Sequence, residues 1–155
     1  MFFQKKIEFK SKLFNQNDFY SQFFQDLKNC VQEVIIESPY ITSSRMEQLY
    51  PLLNFLLIRK VKIYIITRDP SEHDEIIRYQ ATNEILSCTE LGVNVVLMKG
   101  NHHRKLIAID RRILWEGSLN VLSYSNSQEI MRRIEGEKWA NEMINFLKLD
   151  NYLKR

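Results

Sequence analysis

An α/β fold, with helices on both faces of a mixed β-sheet, is what this 155-residue chain predicts. Three observations carry the prediction. Short apolar runs such as Val34-Ile35-Ile36 and Val61 to Ile66 alternate with longer stretches whose apolar residues recur every three or four positions. After Val93 to Met98 the helical stretches give way to further β-type runs in succession, two of them joined by a tight turn, so the sheet is mixed. Apolar content of 45% and charged content of 26% are those of an ordinary globule. At this length, and without a linker-like or low-complexity stretch, residues 1–155 are expected to form a single domain.

The elements follow in order. Residues 1–14 alternate weakly around Ile7, Phe9, Leu13 and Phe14, the pattern of a short edge strand. From Asn17 or Asp18, Phe19, Phe23, Phe24, Leu27 and Val31 recur at helical spacing, aromatics for a core rather than a base-stacking platform. Val34-Ile35-Ile36 is a continuous apolar strand that Ser38-Pro39-Tyr40 ends. Ser44-Arg45-Met46-Glu47 has the form of a capping box. Pro51 interrupts the pattern behind it and predicts a helix that restarts there and runs, almost wholly apolar, to Arg59.

Val61 to Ile66 reads as the next strand, with Thr67-Arg68-Asp69-Pro70 as a loop at its carboxyl end, where open α/β sheets place their sites. Arg68 and His73 are within reach of a substrate there, although a loop salt bridge is the expected fate of Arg68. Residues 72–91 make a helix with Ile76, Ile77, Ile85 and Leu86 inward and Gly92 as its stop. Val93 to Met98 is a strand, and Ile130 to Ile134 alternates with Arg132 and Arg133. Trp139, Met143, Phe146 and Leu147 define a last amphipathic helix.

Charge and cysteine usage narrow the function classes. The net charge of +3 is mild, but Lys99 to Arg112 carries Lys99, Arg104, Lys105, Arg111 and Arg112 against Asp110 alone. Such a patch attracts a polyanion. Cys30 and Cys88 fall in helical segments without metal-ligand spacing, so two buried reduced thiols are expected, which fits a reducing compartment. Met1 to Lys6 lacks the apolar core of a signal peptide, and Leu52 to Ile58 is too short to span a bilayer, so a cytoplasmic protein without a membrane partner is expected.

The chemistry concentrates between His103 and Asn120, which read His-x-Lys-x4-Asp-x6-Gly-Ser-x-Asn. Leu106-Ile107-Ala108-Ile109 and Ile113-Leu114-Trp115 flank Asp110-Arg111-Arg112 as two strands around a tight turn. If the first strand includes His103 and Lys105, residues two apart face the same side, so imidazole and ammonium address one volume. Gly117 allows close backbone approach, and Ser118 and Asn120 add hydrogen-bonding groups. A nucleophile or base, a fixed cation and two neutral donors suit a phosphodiester.

With all its spacings kept, this pattern resembles the signature of the phospholipase D superfamily, the HKD phosphodiesterases, and in particular its small single-motif nuclease-like members. The resemblance implies a phospholipase D-like α/β/α sandwich. It makes His103 the nucleophile that forms a phosphohistidine, with Lys105, Asn120 and Ser118 at the phosphate and Glu129 as the acid that orients the imidazole. Asp110 completes the signature in a supporting role, and Lys99, Arg104 and Arg68 are candidate substrate contacts. His102 is out of register, since the residue two on is Arg104.

The expected activity is therefore a metal-independent, cofactor-free endonuclease acting on DNA or RNA, with a site shared across a homodimer because one motif supplies one imidazole. Two other readings compete with it. One is a nucleic-acid-binding or targeting module with little catalysis, working beside a helicase or restriction-type partner. The other is a phospholipid phosphodiesterase, although the sequence has no amphipathic membrane helix with a basic face.

Overall fold

A computed structural model describes residues 8–153. Ile7, with Met1 to Lys6 before it, lies outside the described residues. The strands are β1 (Lys10–Asn15), β2 (Glu33–Glu37), β3 (Lys62–Arg68), β4 (Asn94–Met98), β5 (Leu106–Ile109), β6 (Ile113–Gly117) and β7 (Ile130–Glu135). The helices are α1 (Phe19–Lys28), α2 (Ser43–Ile58), α3 (Glu75–Leu91) and α4 (Glu137–Phe146), with single 3-10 turns at Pro70–Glu72 and Leu149–Asn151. All seven strands form one sheet in the order β1-β7-β6-β5-β2-β3-β4. β2, β3 and β4 run parallel, and β5, β6, β7 and β1 add on antiparallel, which is the mixed sheet expected.

Side-chain alternation sorts the sheet into two cores. Val34, Ile36, Ile63, Ile65, Ile107 and Trp115 face α1, α2 and Cys88 of α3, in a cluster with Phe19, Phe23, Leu49 and Leu53. Ile35, Tyr64, Ile66, Leu106 and Ala108 face the other way and are covered by Ile144 of α4, Leu149 and Leu153. The two layers are unequal, with three helices on one face and one on the other.

Several local expectations are corrected. α2 does not restart at Pro51 but runs through it. Pro51 is exposed, and so is Glu47 four residues back, whose carbonyl loses its helical donor on the side where solvent can satisfy it. Thr42, not Ser44, is the N-cap, and its Oγ1 accepts from Tyr124 N at 2.8 Å instead of capping the helix. In α3, Ala81 and Cys88 are buried, whereas Ile76 and Leu86 face outward, 73% and 58% exposed. Val31 and Phe146 are likewise exposed, and Val31 and Cys30 fall beyond the end of α1.

Asp110 is the fastener of this fold. It sits in the β5–β6 turn and accepts from the backbone N–H groups of Val31 (2.9 Å), Gln32 (2.7 Å) and Glu33 (3.0 Å), and from Cys30 Sγ (3.3 Å). The loop that delivers β2 to the sheet is thus tied to the turn of its neighbour. Burial pushes the carboxyl up, but the donors from Val31, Glu33, Gln32 and Cys30 outweigh it and hold the pKa below the ordinary carboxylate range.

A pKa lowered in the folded state contributes stability above the unfolded value near pH 4, and that contribution is lost as pH falls through the folded value. Replacing Asp110 with Ala is expected to cost about 2–4 kcal/mol in urea unfolding at pH 7, since three backbone N–H groups and the Cys30 thiol lose one shared, charged acceptor. The difference between the two proteins shrinks below about pH 4. An equal difference at pH 7 and pH 3 contradicts this account.

Candidate active site

β5 begins its ladder at Leu106, so His103 and Lys105 stand on the extended approach to the strand and not on the strand itself. The alternation of sides nevertheless holds, because a buried carboxylate enforces it. Glu37, the last residue of β2, is fully buried. Its Oε1 accepts from Arg104 Nε at 2.9 Å and lies 2.9 Å from His102 Nε2, a close contact off the line of a hydrogen bond. His102 is drawn inward and the Arg104 guanidinium is turned to Glu37, which leaves His103 and Lys105 to meet each other.

There, Lys105 Nζ lies 2.9 Å from Nδ1 of His103 and donates to the His103 carbonyl at 2.7 Å. Lys105 is the first cause lowering the His103 pKa below the usual imidazole value, followed by burial, Arg68 and His102. Burial lowers the Lys105 ammonium, with Glu129 opposing and Arg68 adding to the effect.

Arg68 corrects the salt-bridge expectation. It is the final residue of β3, 6% exposed, and among the described residues it meets no carboxylate. Its Nε donates to the His102 carbonyl at 2.9 Å, Nη1 lies 3.4 Å from the Tyr40 hydroxyl, and Nη2 is enclosed without a partner. Tyr40 joins the neighbourhood, its ring 6.4 Å from that of His103 and 4.9 Å from that of His73. His73 is buried, and burial and then Arg68 lower its pKa. Sequence reasoning passed over Tyr40 and Glu37; the usable signal was their position at the carboxyl end of an apolar strand.

The loop between β6 and β7 brings the rest. Gly117 passes so close to β7 that an added Cβ would sit 2.1 Å from the Ile130 carbonyl oxygen, so a larger residue would push the strands apart. Ser118 N donates to that same oxygen at 2.9 Å. The Glu129 carboxylate accepts from the Ser118 hydroxyl and, at 2.6 Å, from Ser127 Oγ. The contact expected between Glu129 and the imidazole is therefore not made, since Lys105 occupies Nδ1. Asn120 Oδ1 is enclosed and without a hydrogen-bond partner.

Asp110 lies apart from this group, at the far end of β5 and roughly 16 Å along the chain from Lys105. The basic patch is also corrected. Lys99 pairs with Asp69, Arg104 with Glu37, and Arg111 with both Glu33 and Asp150. The sequence brings these acids from elsewhere, and Lys105 and Arg68 remain as the cations beside His103.

The Lys105 contact makes a measurable prediction. Replacing Lys105 with Met removes the nearest cation, so the His103 pKa should rise toward about 6.5, followed by NMR titration of the imidazole. An unchanged or lower value would mean that Lys105 does not set the proton affinity of His103.

Comparison with known proteins completes the picture. The family model "Cardiolipin synthase, PLD-like domain" matches residues 23–150. Among curated protein sequences, none matches the chain. Among solved structures, NucT from Helicobacter pylori is 18% identical with a TM-score of 0.71, covering 91% of this chain and 94% of that one. Nuc from Salmonella typhimurium, described as a phospholipase D family member, is 14% identical with a TM-score of 0.70, covering 91% of this chain and 93% of that one. The phosphatidylserine synthase of Haemophilus influenzae is 15% identical with a TM-score of 0.70, covering 93% of this chain and 38% of that one. At these identities the likeness to solved structures is one of fold, and it is the family model, spanning most of the sequence, by which the chain belongs to the phospholipase D superfamily.

Proposed function

We propose that the protein is a phosphodiesterase that cleaves nucleic acid through a phosphohistidine on His103, in a site completed by a second copy of the chain. The observation that carries this reading is an exposed imidazole flanked by Lys105 and Arg68, with an unused donor on Arg68. Two cations gathered at one nucleophile match the charge of a phosphodiester in displacement. Correspondence over nearly the whole of NucT and Nuc, against 38% of the phosphatidylserine synthase, supports a small single-motif member, the group whose resemblance implies a nuclease.

An ammonium has only donors, so in the free protein Nδ1 of His103 accepts from Lys105 and the hydrogen sits on Nε2. A bound phosphate draws Lys105 to its own oxygens and releases the imidazole lone pair. The freed nitrogen attacks phosphorus, the bond to the leaving oxygen breaks, and that oxygen takes a proton from a second imidazole. Water, deprotonated by the now neutral second imidazole, then hydrolyses the phosphohistidine and restores both rings. Lys105 and Arg68 supply the positive charge throughout, so the reaction needs no added metal.

The second imidazole has to come from another copy. Of the three histidines, His102 is packed against Glu37, and His73 is enclosed against the Tyr40 ring, out of reach of a leaving group. Exposed Leu13 and Ile130 line the same cavity as His103 and Lys105, apolar surface that a two-fold contact would cover.

Labelled DNA and RNA should be cut in excess EDTA, with His103→Ala lowering the rate by about 10^3-fold or more. His102→Ala should keep the chemistry and lose stability instead. Abolition by EDTA with recovery in magnesium overturns the mechanism. A mixing experiment tests the shared site. Wild type and His103→Ala, unfolded together in equal amounts and refolded at random, give roughly a quarter fully wild-type dimers and about half mixed ones. Activity near a quarter of the all-wild-type value is expected, whereas independent sites would retain about half.

A further inference from the structure

We propose that the cavity between α1, the start of α2 and the β6–β7 loop is a nucleobase subsite, which seats one unpaired base of a single-stranded nucleic acid beside the phosphate held at His103. The proposal rests on the phosphodiesterase reading and adds to it the class of substrate. The cavity has a volume of about 500 Å³, within the range of small-ligand sites, and Tyr20, Arg45, Tyr124 and Ser127 line it together with Asn120 and Glu129. It thus shares two residues with the phosphate site, and Glu129 acts electrostatically on Lys105.

Its wall is built for a flat, polar ligand. The guanidinium carbon of Arg45 lies 3.7 Å from the centroid of the Tyr20 ring and 5.7 Å from that of Tyr124. Tyr20 is fixed in turn, its hydroxyl donating to the Val121 carbonyl at 2.9 Å. Arg45 Nη1 donates to Gln48 at 2.6 Å, yet among the described residues no carboxylate pairs with this cation, and its Nε is enclosed without a partner. An arginine plane over a tyrosine, next to a second tyrosine that is 59% exposed, offers the surfaces on which bases stack.

The loop that closes the cavity carries Ser123, Ser125, Asn126, Ser127 and Gln128, hydroxyls and amides that can meet the edge of a base. It is held in place before any ligand arrives. Tyr124 N donates to Thr42 Oγ1 at 2.8 Å, and Glu129 N donates to Gln16 Oε1 at 2.9 Å. A base stacked and paired inside a duplex has neither a face nor its pairing edge free for such a pocket, so the ligand is an unpaired nucleotide.

The test reads binding and uses the His103→Ala protein, so that its outcome does not depend on cleavage. Fluorescence anisotropy gives the Kd for a labelled single-stranded oligonucleotide, and for the same strand with an abasic site moved along it. One abasic position should weaken binding about tenfold, as removal of a stacked base does. Adding Arg45→Ala should weaken the intact strand about tenfold, but should cost nothing further on the strand abasic at that position, because both changes remove the same contact. Tyr124→Ala, at an exposed site where folding is not at stake, should behave the same way. Additive losses at every abasic position would mean that Arg45 holds a phosphate, and overturn the subsite. An unchanged Kd in both variants overturns it as well. Failure of the wild type to cut any diester overturns the phosphodiesterase reading alone.

Discussion

A buried carboxylate with two basic neighbours is the constraint on which the site depends. Glu37 lies at the end of β2, inside the protein, and takes His102 and Arg104 to itself. The segment before β5 has no ladder hydrogen bonds to fix which way its side chains turn. Without Glu37 there would be little to stop it twisting, and His103 and Lys105 would lose their common side. The register of the reactive pair is therefore set from behind, by residues that never meet the phosphate. A carboxylate in such a position is costly unless its charge is compensated, and the guanidinium of Arg104 supplies the compensation.

Much of the fold could be read from the residues because its periods were clean. The β2 and β3 strands carry continuous apolar runs buried on both faces, and the helix after them has a clear stop in Gly92. Errors arose where two signals competed. Pro51 ordinarily ends a helix, yet the burial of Met46, Leu49, Leu53 and Leu56 along one side held α2 together across it. In α3 the inward expectation holds for Ile85, which packs on the core, and fails for Ile76 and Leu86, because a helix over one side of a sheet edge has a narrow contact that Ala81 and Cys88 largely fill.

The site was legible where it is local and illegible where it is not. His103, Lys105, Ser118 and Asn120 lie within one stretch, and their spacing carried the resemblance. The charge patch failed because counting along the chain omits partners from elsewhere: Glu33, Glu37, Asp69 and Asp150 all come from outside the stretch they neutralise. Arg68 and Tyr40 join the site only because parallel strands place their carboxyl ends side by side. Asp110 belongs to the same signature as His103 but works at the opposite end of the strand, on the backbone of the β2 approach.

That fastening has a consequence for thiol chemistry. Burial first, and then the Asp110 carboxylate, push the Cys30 thiol up to about 12, and burial raises Cys88 to about 11. At neutral pH both stay in the thiol form, and the thiolate is the nucleophile in exchange with disulfides. Burial of both sulfurs therefore works against their oxidation from within the fold, and the same carboxylate that ties two strands together also disfavours the reactive thiolate of the cysteine beside it.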